Sequence, residues 1–407
     1  MNDDPLLDSA NAPAILSYIR DHTGTDVKAL ALKAMPEESW PRALILDQIN
    51  ARQKAVLKMP DWLAYRNIVL PAPDVVEQAS SSATARYKAG LVSGGARFAD
   101  LTAGAGVDSA NFAPHFQRGI CIEADGVTSR RLHNNLACFY GTKAPDVWHC
   151  RAEDAIASLP YCDLIYIDPQ RRSQTGRVTG LEDADPDVTR LLPRIFEKAR
   201  RVLLKASPML AIDAACHQLS HVAAVHIVEY AGAVRELLLD CHSGAALAEP
   251  RAIHAVVIND NGDILNRFSG TDGDDASAPD YSAPCAYLFE PSPAIMKSGL
   301  FATLAANYNL AKLAPATHLF TADHDDADFP GHRYKVENVL PVDRKALKRA
   351  GITHANIKCR NFPEAPDRLQ NRLRLHNGGD NYLFACQLAD GRNRLIYARK
   401  SGPDRLT

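Results

Sequence analysis

Residues 98–108 read FADLTAGAGVD, and residues 164–172 read LIYIDPQRR. The first is an apolar run ending in Asp100, followed by Gly104 and Gly106 and a stretch suited to start a helix near Val107. Strand, turn and helix in that order let two glycines make a tight turn and bring backbone close to a ligand. A dinucleotide fingerprint asks for a third glycine at position 109, and Ser109 stands there, which argues against a nicotinamide cofactor. Glu123 ends the next apolar run, GICI, at a position from which a carboxylate accepts hydrogen bonds from ribose hydroxyls. After the third run, AEDA offers Asp154, or in its place Glu153, to the amino group of an adenine.

Working outward, apolar β-rich runs occur at 96–101, 119–124, 147–151, 163–168, 201–206, 222–230 and 234–241. Most are separated by segments of helical character, such as 126–140 and 186–199. Strands fed by helices predict a mostly parallel sheet covered on both faces. The last two runs are joined by too few residues for a helical crossover, so they pair antiparallel as a hairpin. A further hairpin is predicted around Asn261–Gly262, between 251–260 and 263–269. Residues 270–284 are polar and rich in Gly, Pro and Asp, and read as a linker.

These features together resemble the class I S-adenosylmethionine-dependent methyltransferases, in particular a bacterial family carrying a C-terminal THUMP-like domain. The resemblance rests on the glycine turn, the acid after strand two, Asp-Pro at the end of strand four and the terminal hairpin. Its further motifs are EQASSSATARYKA (77–89), KASPMLAID (205–213), RELLL (235–239), EPSPAIMKSGLF (290–301), THLFTAD (317–323), DFPG (328–331), RNFP (360–363) and GGDNYLFA (378–385). It implies an α/β, Rossmann-like seven-stranded sheet with an antiparallel last strand. A small N-terminal helical domain precedes it, and ferredoxin-like and THUMP-like α+β units follow. The implied boundaries are 1–74, 75–270, 285–333 and 334–403. The chain departs from the family's common Asp-Pro-Ala-Arg-Arg by Gln170, and from its common Glu at the place of Ser82 or Ala83.

The resemblance implies S-adenosyl-L-methionine as cofactor. Asp100, Thr102, Gly104, Gly106, Asp108, Glu123, Ala124 and Asp154 would hold it, with Ser81, Thr84, Tyr87 and Lys88 at its methionine end. Methyl transfer is a one-step displacement, so the protein's task is to align nucleophile, methyl carbon and sulfur. Asp168 and the Pro169 carbonyl would accept from a target amine, or Asp168 would act as general base. Gln170 and Arg171 complete this catalytic loop. Gln170 lacks the aromatic face that stacks a flipped base, whereas Arg171 and Arg172 suit phosphate or a base edge. Lys205 and Ser207, after strand five, would line the target pocket, and Arg360 and Asn361 would contact RNA. Neither DPQRR nor KASP holds a cysteine, which favours a nitrogen acceptor over a pyrimidine carbon.

The 407 residues allow two or three domains. Net charge is −2, but residues 331–407 hold 16 Lys and Arg against 7 Asp and Glu, leaving an acidic remainder. A basic tail on an acidic body suggests a polyanion partner at one end, and with the resemblance predicts structured RNA, ribosomal or transfer. DNA, protein and small-molecule acceptors, and a non-catalytic RNA-binding protein, are the alternatives. The nine cysteines form no C-x-x-C pair, so reduced, packed thiols and no metal site are expected. No apolar run approaches a membrane span and the N-terminus lacks a signal core, so the expected location is cytoplasmic. Nothing in the sequence addresses oligomeric state.

Overall fold

The computed structural model describes residues 4–171, 180–219, 221–244, 250–274 and 279–402. Residues 275–278 of the polar 270–284 stretch lie outside them. The chain divides into two compact units, 1–225 with 236–249 and 258–264, and 226–235 with 250–257 and 265–407.

The first unit begins with helices, among them α1 (Ala12–Asp21) and α2 (Arg42–Lys58). Ile15 and Ile19 of α1 pack with Ile45 and Ile49 of α2 around Leu6, Leu30 and Trp40. The stretch Ile68-Val69-Leu70 is buried yet in no sheet, so its peptide groups need other partners. Two side-chain amides supply them. Asn135 donates to Val69 O and accepts from Val69 N, both at 2.9 Å. Gln48 donates to Leu70 O at 2.6 Å and accepts from Leu70 N at 3.1 Å.

Helix α3 (Ser82–Gly90), capped by Ser81, leads into β1 (Gly95–Asp100). Then follow α4 (Val107–Phe112), β2 (Phe116–Glu123), α5 (Gly126–Tyr140), β3 (Asp146–His149), α6 (Ala152–Ser158), β4 (Leu164–Ile167), α7 (Val188–Phe196), β5 (Arg201–Ala206) and α8 (Ile212–Gln218). The strands β6 (Val222–Tyr230), β7 (Ala233–His242), β8 (Ala252–Ile258) and β9 (Ile264–Thr271) come last. Sheet order is β9-β8-β6-β7-β5-β4-β1-β2-β3. β1 pairs parallel with β2 and β4, and β7 runs antiparallel to β5. The expected seven-stranded arrangement is therefore present, and the second hairpin extends it to nine strands. Ala231 and Gly232, at φ 51° and 71°, make the tight turn between β6 and β7. β4 is buried throughout, as a central parallel strand covered on both faces must be.

The second unit carries β10 (Tyr287–Pro291), α9 (Pro293–Ser298), α10 (Phe301–Asn307), β11 (Ala311–Ala314), β12 (Thr317–Ala322) and β13 (Gly331–Pro341). It continues with α11 (Arg344–Arg349), β14 (Asn356–Arg360), α12 (Pro366–Leu373), β15 (Asn381–Gln387) and β16 (Asn393–Lys400). The sheet order is β11-β12-β10-β13-β16-β15-β14. Side chains alternate along β15 as a two-sided strand requires. Leu383 and Ala385 pack with Leu347 of α11 and Leu369 and Leu373 of α12. Phe384 and Cys386 face the other way, into a core with Leu288, Leu313 and Leu319. The sheet curls enough for β14, at one edge, to reach Glu290 on β10.

Candidate active site

The ends of β1, β2, β4 and β5 converge on the glycine turn. Asp100 closes β1 and is buried; its Oδ1 accepts from the Thr102 backbone N–H at 3.0 Å and its Oδ2 from the Ser109 hydroxyl at 2.5 Å. Ser109, where a dinucleotide turn would have glycine, thus holds the turn to the strand. Burial pushes the Asp100 carboxyl up to about 7. Gly104 and Gly106 have φ of 53° and 87°. A Cβ at Gly106 would lie 2.2 Å from Leu132 Cδ1 and sit on a backbone of positive φ, so a side chain here would have to displace Leu132 and adopt a strained conformation. Glu123 ends β2 half-buried and accepts from Gly104 N and Asp125 N, each at 2.8 Å. A carboxylate has about four lone-pair sites, so Glu123 is oriented by the turn while retaining capacity for ligand hydroxyls.

Asp168 follows β4. Its backbone N–H donates to Thr102 Oγ1 at 2.7 Å, tying this loop to the glycine turn. Its Oδ2 accepts from Lys205 Nζ at 2.6 Å. Burial raises the Asp168 carboxyl despite the pull of Lys205. Burial alone would lower the Lys205 ammonium, but Asp168, Glu236 and Asp108 outweigh it and hold it above its ordinary value.

Behind this pair lies a buried ion network. Lys88 is 0% exposed and bonds Glu236 Oε2 at 2.6 Å, and pairs with Asp108 Oδ1 at 3.0 Å. The Ser80 hydroxyl donates to Asp108 Oδ2 at 2.8 Å and accepts from Lys88 at 2.9 Å and Lys205 at 3.3 Å. Tyr166 OH also donates to Asp108 Oδ2, at 2.9 Å. Against the upward push of burial, Lys88 and Lys205 keep the Asp108 carboxyl below its ordinary range. Ser80, Tyr166 and Glu236 lie within stretches that the sequence singles out, but no spacing assigns them a role. Glu236 stands 148 residues from Lys88 and meets it only through the fold.

The other expected residues divide. Ala124 and Asp154 are exposed at the same sheet edge. Thr84, Tyr87 and Lys88 are buried, with Thr84 bonded back to Ser81. Asp108 likewise turns inward. All four are buried. Pro169 is half-buried, Gln170 is exposed, and Gln170–Arg171 pairs antiparallel with Ala184–Asp185. The Arg171 side chain and all of Arg172 lie outside what is described. Ser207 Oγ accepts from Met209 N at 3.2 Å. In the second unit, Arg360 bonds the buried Glu290 at 2.7 Å, and Asn361 donates to Thr317 Oγ1 at 3.4 Å. Phe362 packs in the core between helices and sheet. Among the described residues no group of three or more His, Cys, Asp or Glu is placed to hold a metal. No described helix is long and apolar enough to cross a membrane.

The family described as a ferredoxin-like domain matches residues 287–330, and that described as THUMP domain-like matches residues 331–400. A solved structure from Porphyromonas gingivalis W83, provisionally assigned as a methyltransferase, is similar over 97% of this chain and 100% of its own, at 28% identity and a TM-score of 0.87. This chain has the architecture of a methyltransferase with a THUMP-like domain. Weaker likenesses include a provisionally assigned methyltransferase, yhhF, of Escherichia coli, at 16% identity over 43% of this chain and 92% of that one, TM-score 0.31. Another is the C-terminal domain of precorrin-6Y C5,15-methyltransferase from Rhodobacter capsulatus, at 18% identity over 40% and 91%, TM-score 0.29. Scores this low carry no functional argument. No curated protein matches the sequence.

Proposed function

We propose that the protein is an S-adenosylmethionine-dependent methyltransferase acting on a base nitrogen of structured RNA, ribosomal or transfer. The observation that carries this reading is the Asp168–Lys205 pair, tied to the glycine turn through Thr102 and set at the same sheet edge as Glu123. The donor set fits the cofactor: a glycine turn open to a ligand at Gly104, and Glu123 with unspent acceptor capacity toward a ribose. Asp154, exposed at the start of α6, is placed for an adenine amino group. When bound, S-adenosylmethionine supplies the methyl group as a sulfonium leaving-group system.

The chain's own part is positioning and proton management. As the base nitrogen forms its bond to the methyl carbon it gives up an N–H proton. Asp168 Oδ, raised by burial, is a better proton acceptor than a surface aspartate. Lys205 stays charged and holds that carboxylate in one orientation, and the Pro169 carbonyl offers the second acceptor. Lys205 is thus a positioning residue for Asp168, in addition to lining the target pocket. Ser81, Thr84, Tyr87 and Lys88 brace the turn that receives the cofactor. The RNA-binding unit is taken to begin near residue 334.

Mass spectrometry of nucleosides from total RNA, with the gene deleted and then restored as wild type or Asp168→Ala, tests this. One methylated nucleoside should disappear, return with wild type and stay absent with Asp168→Ala, while the purified variant still binds S-adenosylhomocysteine by calorimetry. Full restoration by Asp168→Ala would remove the assigned role.

A further inference from the structure

The basic surplus of the last domain is not spread evenly. The sheet-borne cations are largely paired with acids: Arg333 with Asp325, Lys358 and Arg360 with Glu290, and Arg399 with Glu337. Arg392 in the β15–β16 turn pairs with Asp390. On the helical side Arg372 of α12 pairs with Glu364, but the other cations differ. Arg344, Lys345, Lys348 and Arg349 of α11, Arg368 of α12 and Arg374 at its C-cap are all exposed, and among the described residues none of their side chains has an ion-pair or hydrogen-bond partner. Both helices cover one face of the sheet, since Leu347, Leu369 and Leu373 share a single core. The unpaired cations therefore stand on one outward surface.

Lys348 and Arg349 suit the last turn of α11, but its other two cations work against the helix that bears them. Arg344 and Lys345 occupy the first turn of α11, where the helix dipole disfavours positive charge. Arg344 with Lys348, and Lys345 with Arg349, are like-charge pairs four residues apart, which also destabilise a helix. Charge set against local stability and left without counter-ions is what a polyanion-binding surface needs.

We propose that the helical face of the THUMP-like domain, formed by α11 and α12, docks the sugar-phosphate backbone of the RNA. The inference rests on the RNA reading above and deepens it by naming the surface. It moves the docking site away from Arg360 and Asn361. Contacts of this kind are to phosphate, so they position the RNA without selecting its sequence.

The test uses the full chain and bulk transfer RNA, with affinity measured across a salt series. The variant Arg344→Gln/Lys345→Gln/Lys348→Gln/Arg349→Gln is compared with Arg392→Gln/Arg399→Gln, which removes cations paired elsewhere. The helix variant should lose about tenfold or more in affinity, and its dependence of log affinity on log salt should become shallower by about 3. The second variant should stay within about twofold. An unchanged thermal midpoint shows that the helix variant folds. Wild-type binding that the helix variant leaves intact, or that both variants weaken alike, overturns this inference alone. A wild-type protein that binds no RNA overturns the RNA reading as well. RNA displaced by phosphatidylserine vesicles at equal phosphate would assign the face to a membrane surface instead and overturn the proposal.

Discussion

The two units handle charge in opposite ways. Around Asp168 the first unit buries Asp108 and Glu236 with Lys88, sets the half-buried pair Asp168 and Lys205 against them, and links them through Ser80 and Tyr166. On the helical face of the second unit Arg372 pairs with Glu364, but Arg344, Lys345, Lys348, Arg349, Arg368 and Arg374 stand exposed with no side-chain partner among the described residues. Desolvation explains the contrast. A buried ion is tolerated only when paired and hydrogen-bonded, whereas an exposed one costs little and stays available to an outside partner. Under the proposed function the first arrangement would fix atoms for chemistry, and the second would keep charge free for binding.

Removing one buried partner should break the first arrangement most severely. Lys88→Met leaves Asp108 and Glu236 buried without their shared cation. It should destabilise the protein by about 3–5 kcal/mol, read as a shift of the first unfolding transition in urea; a shift under about 1 kcal/mol would mean that the network is not structurally important. A neutral counterpart is the amide clamp on the buried segment Ile68–Leu70. Asn135→Ala orphans both Val69 backbone groups and should cost about 2 kcal/mol in the same measurement.

Asp100 differs from these groups as a buried acid without a cation partner among the described residues. Its folded pKa of about 7 lies above the reference value of 3.8. A raised acid contributes stability that is full below the unfolded pKa and lost as pH rises through the folded one. Wild type should therefore lose stability relative to Asp100→Asn between about pH 4 and pH 7, by up to about 1.4 kcal/mol per pH unit. Parallel pH profiles for the two proteins would contradict this. The smallest effect belongs to the exposed face. Arg349→Ala should change unfolding free energy by less than about 0.5 kcal/mol, because nothing in the fold leans on it.

Legibility followed the same division. The strand runs at 201–206 and 222–230 coincide with β5 and β6, because buried parallel and hairpin strands carry unbroken apolar runs. The terminal hairpin was legible from connection length alone. That β8 and β9 join the same sheet was not, because an edge hairpin looks alike in sequence whatever it pairs with. The burial of Asp108 and Lys88 was not legible for a related reason. A charged residue reads as exposed until its counter-ion is known, and here Lys88 pairs with Asp108 and with Glu236, 148 residues away.

The amino-acid sequence by itself determined the order of strands and helices, the glycine turn with Glu123 and Asp168 at strand ends, and the basic surplus of the last domain. Those follow from local pattern, where periodicity and composition act over a few residues. Only the tertiary structure decided which charges are buried together and which stand alone in water. Pairing across 148 residues between Lys88 and Glu236, or the consumption of Arg360 by Glu290, depends on desolvation and distance. Both exist only once the chain has folded.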